Sequence, residues 1–168
     1  MTIHISDSLL RHEAQKGHDA FLSVFVNAID QAIGGELTAQ NMGQLNADQI
    51  TLWAYKTLRE EVMDGGFVQL IHNGYGPFIF LNPFAKAMRL WGLKDLQKLI
   101  YKGRKLFELY GDELTRECTD EQFMALFEQY PAFDALDDEF VGMEEEWTAQ
   151  VAQYVDEHLE NFATIDAQ

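Results

Sequence analysis

Apolar residues recur along this chain with a helical period. From Asp19 to Ile33, Leu22, Phe25, Val26, Ile29 and Ile33 follow one another at steps of three and four, and Gly34-Gly35 ends the run. Asn46 is placed to cap a second helix, with Gln49 three residues on as its capping-box partner. That helix carries Leu52, Tyr55, Leu58 and Val62 and ends at Gly65-Gly66. Phe67–Asn73 then predicts a short helix closed by Gly74. Phe78-Ile79-Phe80-Leu81 has strand-like composition, but it is four residues long between Pro77 and Pro83, so the expectation for Tyr75–Leu81 is a buried extended loop. A helix starting at Asn82 or Pro83 stops at Gly92. Lys94–Tyr110 follows, with Leu96, Leu99, Ile100, Leu106, Phe107 and Tyr110 on one face. Thr119 or Asp120 caps a short helix to Tyr130, and Phe140–Phe162 is mostly one final helix with Trp147, Val151, Tyr154, Val155 and Phe162 inward.

The sum is about seven helices and no convincing sheet, which predicts an all-α fold. At 168 residues the expectation is one domain, 1–168, in which 1–18 form an N-terminal extension. An apolar content of 47% argues against a disordered acidic tail. Cys118 is the only cysteine and fits a reducing compartment. The first residues lack a basic run followed by an apolar one, and nothing approaches a membrane-spanning apolar length, so a soluble cytoplasmic protein is expected.

Charge changes this picture more than composition does. From Glu117 to Gln168 there are fifteen Asp or Glu and no Lys or Arg, against a net charge of −16 for the whole chain. Residues 86–116 run the other way, with eight Lys or Arg against four acids. Such a field disfavours naked nucleic acid and anionic membrane as partners and favours a basic protein surface. On the final helix Glu145, Glu146, Asp156, Glu157 and Glu160 fall opposite the apolar arc, and Asp137, Asp138, Glu139 and Glu144 precede or begin it. Carboxylates one helical turn apart lie about 5–6 Å from each other, a spacing of the order of neighbouring phosphates on a nucleic-acid strand. The candidate partner-binding set is therefore Asp137, Asp138, Glu139, Glu145, Glu146, Asp156, Glu157 and Glu160. The competing account is an ordinary solvated face, although such faces normally mix both signs. The stripe Lys94, Lys98, Lys102 and Lys105 suits either a phosphate contact or an intramolecular or dimer-mate partner for the acidic segment. The negative field of the molecule favours the second.

Little else points to chemistry. His4, His12, His18, His72 and His158 include no pair at the i, i+4 spacing of a helical zinc site. Asp137-Asp138-Glu139 lacks the alternating ligands and glycine of a calcium loop. Glu60–Phe67 fits no phosphate-binding fingerprint and is expected to be a helix stop that drops Phe67 into the core, with Asp64 near the next helix start. Cys118 lies between Glu117 and Asp120, surroundings that oppose a nucleophilic thiolate. No catalytic residue, metal or cofactor is predicted.

Two stretches resemble a known family. One is Glu61-Val62-Met63-Asp64-Gly65-Gly66-Phe67-Val68-Gln69, continuing to Asn73. The other is Leu136-Asp137-Asp138-Glu139-Phe140 before the long final helix. Together they resemble an all-helical bacterial domain family of unknown function that includes a DNA-mimic protein, over roughly residues 45–165. The chain departs from the usual pattern at Asp64, where Asn is typical, and at Leu70-Ile71, where aromatics are typical. The resemblance implies an all-α fold. Its mimic member implies a homodimer whose acidic surface occupies a DNA-binding protein in place of DNA. The expected function is a non-enzymatic acidic binding protein, with a basic partner such as a transcription regulator. Two alternatives stay open: an immunity or antitoxin-like protein that blocks a basic toxin, and a helical domain with a small-molecule or enzymatic pocket lined by Trp53, Tyr55, Phe78 and Trp91.

Overall fold

The computed structural model describes residues 2–167. Seven helices of seven residues or more occur among them: α1 (Asp7–Ala14), α2 (His18–Ile33), α3 (Ala47–His72), α4 (Phe84–Leu90), α5 (Lys94–Leu114), α6 (Asp120–Gln129) and α7 (Asp134–Glu157). A one-turn helix, α8 (Leu159–Phe162), follows α7. The fold is all-α, as the periodicity predicts, apart from one small pair of strands, β1 (His4–Ser6) and β2 (Thr164–Asp166). Its contacts fall into two units. One comprises the chain up to Lys56 and from Thr148 onward, and the other comprises Thr57–Trp147. Both boundaries fall inside helices, α3 and α7.

The first unit joins the two ends of the described chain. β1 and β2 are parallel, pairing His4 with Thr164, Ile5 with Ile165 and Ser6 with Asp166. Ile3, Ile5 and Leu10 are buried with Leu22, Phe25 and Ile29 of α2, so these first residues are part of the core. Gly34, in the left-handed conformation, ends α2 where the sequence predicts. The capping box at the start of α3 also forms as predicted: Gln49 N–H donates to Asn46 Oδ1 at 2.8 Å and Asn46 N–H to Gln49 Oε1 at 3.0 Å. The same two side chains reach the far end of the sequence. Asn46 Nδ2 donates to Asn161 O at 2.7 Å, and Gln49 Nε2 to Phe162 O at 2.9 Å. These bonds satisfy carbonyls at the end of α8 that its own turn cannot. The final helix is displaced from the expected Phe140–Phe162: α7 already begins at Asp134 and ends at Glu157, where His158 breaks the geometry (φ −134°, ψ 39°). The His158 Nδ1 lies 2.7 Å from Tyr154 O, and its ring stacks on Tyr154, a structural role.

The second unit is built around Leu58, Phe67, Leu70, Ile71, Met88, Leu96, Leu99, Phe133 and Phe140, all essentially inaccessible. Burying a set of this size is the main term that stabilises the unit. Thr119 caps α6 with Gln122 in a full capping box. The expected extended loop at Tyr75–Leu81 is corrected: Pro77–Leu81 is a π-helical turn with Ile79 and Phe80 buried. A proline at the first helical position costs nothing, since its missing N–H would have no partner there. The flanking prolines therefore mark the ends of a helical turn rather than a strand.

Candidate functional site

The two stretches that carry the family resemblance meet inside the second unit. α3 is interrupted at Gly65 (φ −145°, ψ 16°) and Gly66 (φ 74°, ψ −176°). The Gly66 conformation is one that a residue with a Cβ rarely adopts. A Cβ at Gly66 would also run into the Asp137 carboxylate. After the break Phe67 is fully buried, and its N–H donates to Asp137 Oδ1 at 2.8 Å. Asp137 thus caps the restarted helix from a distance of seventy residues in sequence. Asp64, expected near this helix start, accepts from the Nε2 of Gln69 in its first turn at 3.0 Å, while the Phe67 N–H is taken by Asp137. Gln69 Nε2 also donates to Glu61 Oε2 at 2.7 Å, and Asn73 Nδ2 donates to the same oxygen at 3.0 Å. Each polar residue of the Glu61-to-Asn73 motif named here therefore has a structural partner.

The position of Asp137 removes it from the acidic surface. It is half-buried. Burial pushes its carboxyl up to about 6; the Phe67 N–H opposes that shift, and the charges of Asp134 and Asp138 add to it. Glu144 also turns inward, 7% exposed, and accepts from Arg59 Nε at 2.6 Å. Glu139 is half-buried with Lys102 Nζ at 3.8 Å. The acidic segment, uncompensated within its own sequence, thus draws two cations from α3 and α5.

The other candidates face water. In the second unit Asp138, Glu145 and Glu146 are exposed on α7, with exposed Val141 between them in sequence. In the first unit Asp156 and Glu157 at the end of α7 and Glu160 on α8 are exposed. Gln153 Nε2 donates to Glu157 Oε1 at 3.0 Å. The sequence-based set omits Glu117, Asp120, Glu121, Glu128 and Asp134, which are equally exposed in the second unit. The signal that finds them is the charge run itself, which begins before the final helix. Their oxygens can accept hydrogen bonds and attract cationic side chains.

Two of the aromatics proposed for a pocket have hydrogen-bond partners of their own. Trp53, Tyr55 and Trp91 are buried and Phe78 half-buried. Trp53 Nε1 donates to Asp30 Oδ1 at 2.8 Å, and the Tyr55 hydroxyl pairs with Thr148 Oγ1 at 2.8 Å. A cleft of about 370 Å³ at Gln44, Asn46 and Asn161 and one of about 580 Å³ at Ser23, Asn27 and Gln31 lie elsewhere in the first unit. Among the described residues no group of three or more His, Cys, Asp or Glu is arranged to hold a metal ion. No helix among them is long and apolar enough to cross a membrane.

A family model described as DMP19-like protein matches residues 43–158. The DNA mimic protein DMP19 of Neisseria meningitidis serogroup B is 34% identical to this chain over 127 residues, which cover 75% of this chain and 77% of that protein. The family match includes both interlocking motifs and all of α7, and leaves out β1, α1 and α2.

Proposed function

The chain belongs to the DMP19-like protein family, and from that premise we propose that it is a non-enzymatic acidic binding protein. It occupies the DNA-binding surface of a basic partner, such as a transcription regulator, in place of DNA. The observation that carries this reading is the exposed acidic surface of α7 and α8. Asp138, Glu145 and Glu146 in one unit and Asp156, Glu157 and Glu160 in the other present carboxylates to solvent. Glu139 joins them in part, tempered by Lys102. Asp137 does not, because its carboxylate is committed to Phe67.

Physically, each exposed carboxylate stands in for a phosphate. Fixing the carboxylates on a helix means that the partner meets a charge array already ordered, so little entropy is lost in arranging it. The −16 net charge steers a cationic groove toward the surface, and salt weakens that attraction. The proposed assembly is a homodimer, as the resemblance implies, and its proposed place is the cytoplasm.

The test is capture from a lysate at low salt on the immobilised protein, followed by elution with duplex DNA. A DNA-binding protein should appear in the DNA eluate and also in a high-salt eluate. A captured protein that DNA cannot displace, or whose binding is indifferent to salt, would contradict mimicry.

A further inference from the structure

One surface of the second unit has the opposite character. Between Lys86 and Lys105 the chain carries seven Lys or Arg and a single acid, Asp95. Lys86 and Arg89 are exposed on α4, and Lys94, Lys98, Lys102 and Lys105 are exposed on α5, the helix packed against it. Lys102 faces Glu139, and Arg104 bonds Glu108 within its own helix. Lys86, Arg89, Lys94, Lys98 and Lys105 have no ion pair among the described residues. In a chain with 28 acids and 12 Lys or Arg, five unpaired cations in one stretch require an explanation.

Apolar side chains share the stripe. At the helical step, Lys94, Lys98, Tyr101, Lys105 and Leu109 fall within an arc of about 80° on the outer side of α5. Tyr101 is 46% and Leu109 68% exposed, and Leu90 at the end of α4 is 73% exposed. Asp112 closes the stripe on its C-terminal side. Large apolar groups set among cations are not a surface for a sugar–phosphate backbone, which offers them nothing to bury against. They suit a partner with apolar side chains between its carboxylates. The −16 charge of the molecule also repels a long polyanion more than a short acidic peptide.

We propose that the outer face of α5, with the adjoining cations of α4, docks an acidic amphipathic segment of another protein. Lys94, Lys98 and Lys105 meet its carboxylates, while Tyr101 and Leu109 bury its apolar residues. This surface is distinct from the carboxylates of the proposed mimicry. It gives the protein one docking face of each sign.

The test titrates the full chain with a labelled synthetic helical peptide carrying Glu at each turn and Leu between them. A peptide of equal charge with Ser in place of Leu, and a short DNA duplex, serve as comparisons. The Leu-bearing peptide should bind, with the Ser peptide about tenfold weaker, or ~1.4 kcal/mol. Lys98→Gln with Lys105→Gln, and separately Tyr101→Ser with Leu109→Ser, should each weaken it severalfold. Arg11→Gln with Lys16→Gln, which changes net charge equally on exposed residues of the first unit, should not. Neither should Glu145→Gln with Glu146→Gln, so failure here is separable from failure of the mimicry proposal. Failure of the Leu-bearing peptide to bind, DNA binding as tight as the peptide's, equal loss in the Arg11/Lys16 control, or self-association through this face as the sole effect would each overturn the proposal.

Discussion

Asp137 and Asp138 are adjacent in sequence and differ in almost everything else. Asp137 points into the second unit, takes the Phe67 N–H and has its carboxyl raised by burial. Asp138 points to water. Glu144 and Glu145 repeat the contrast, with Glu144 paired to Arg59 and Glu145 exposed. A single run of acids therefore contains two populations. The inward ones hold α7 to α3 within the second unit, and the outward ones give the surface its sign. The helical step of 100° per residue does the sorting. The lesson is that counting acids overstates the functional surface, because some of the same residues are part of the fold.

Changes at the inward population should have the largest effects. Gly66→Val should destabilise the protein by about 3 kcal/mol or more, since it combines a forbidden backbone conformation with a clash against Asp137. Chemical denaturation measures it, and a near-neutral result would mean that the break in α3 is not required. Glu144→Ala should cost about 1–3 kcal/mol through loss of the 2.6 Å bond to Arg59. Glu145→Ala should stay within about 0.5 kcal/mol. Equal costs at the two positions would erase the distinction between them.

Asp137 sharpens the comparison through pH. Its native carboxyl titrates near 6, above its ordinary value of 3.8, so the native state holds the proton more tightly than the unfolded chain. Its contribution to stability is therefore fully present below the ordinary value and is lost as pH rises through 6. Asp137→Asn keeps an oxygen for the Phe67 N–H and removes the buried charge. Discounted for partial exposure, the gain at pH 7.5 should be about 1–2 kcal/mol, shrinking to nothing or reversing near pH 4. Thermal melts of both proteins across that range test it. A variant less stable than wild type at pH 7.5 would show that the ionised carboxylate is what the helix start needs.

Most of the helical architecture was legible in the sequence because each long helix keeps its apolar step and several keep their caps. The Asn46–Gln49 and Thr119–Gln122 boxes and the Gly34 stop are local signals, and local signals suffice for them. What was not legible depends on distant partners. The strand pair His4–Ser6 with Thr164–Asp166 is three residues on each side, too short for an alternation to register, and its halves lie at opposite ends of the chain. The π turn at Pro77–Leu81 has the composition of a strand, and only the fold shows that it is helical with Ile79 and Phe80 buried. Asp137 looked like its acidic neighbours because only the folded α3 supplies the N–H that claims it. The outward acids of the final helix, by contrast, were legible from the helical wheel, since they fall opposite its apolar arc and are exposed.

The smallest stability effect belongs to the outward population, and there function should carry the signal. Asp138→Asn, Glu145→Gln, Glu146→Gln, Asp156→Asn and Glu157→Gln combined should leave the melting curve nearly unchanged, because exposed, uncompensated carboxylates contribute little to the fold. The most direct measurement compares this variant with wild type for retention of a captured DNA-binding protein as duplex DNA is titrated in. The account predicts that wild type holds the partner until DNA displaces it, while the neutralised variant, still folded, fails to hold it at the same salt. Retention by the variant equal to that of wild type would contradict the claim that these carboxylates take the place of DNA.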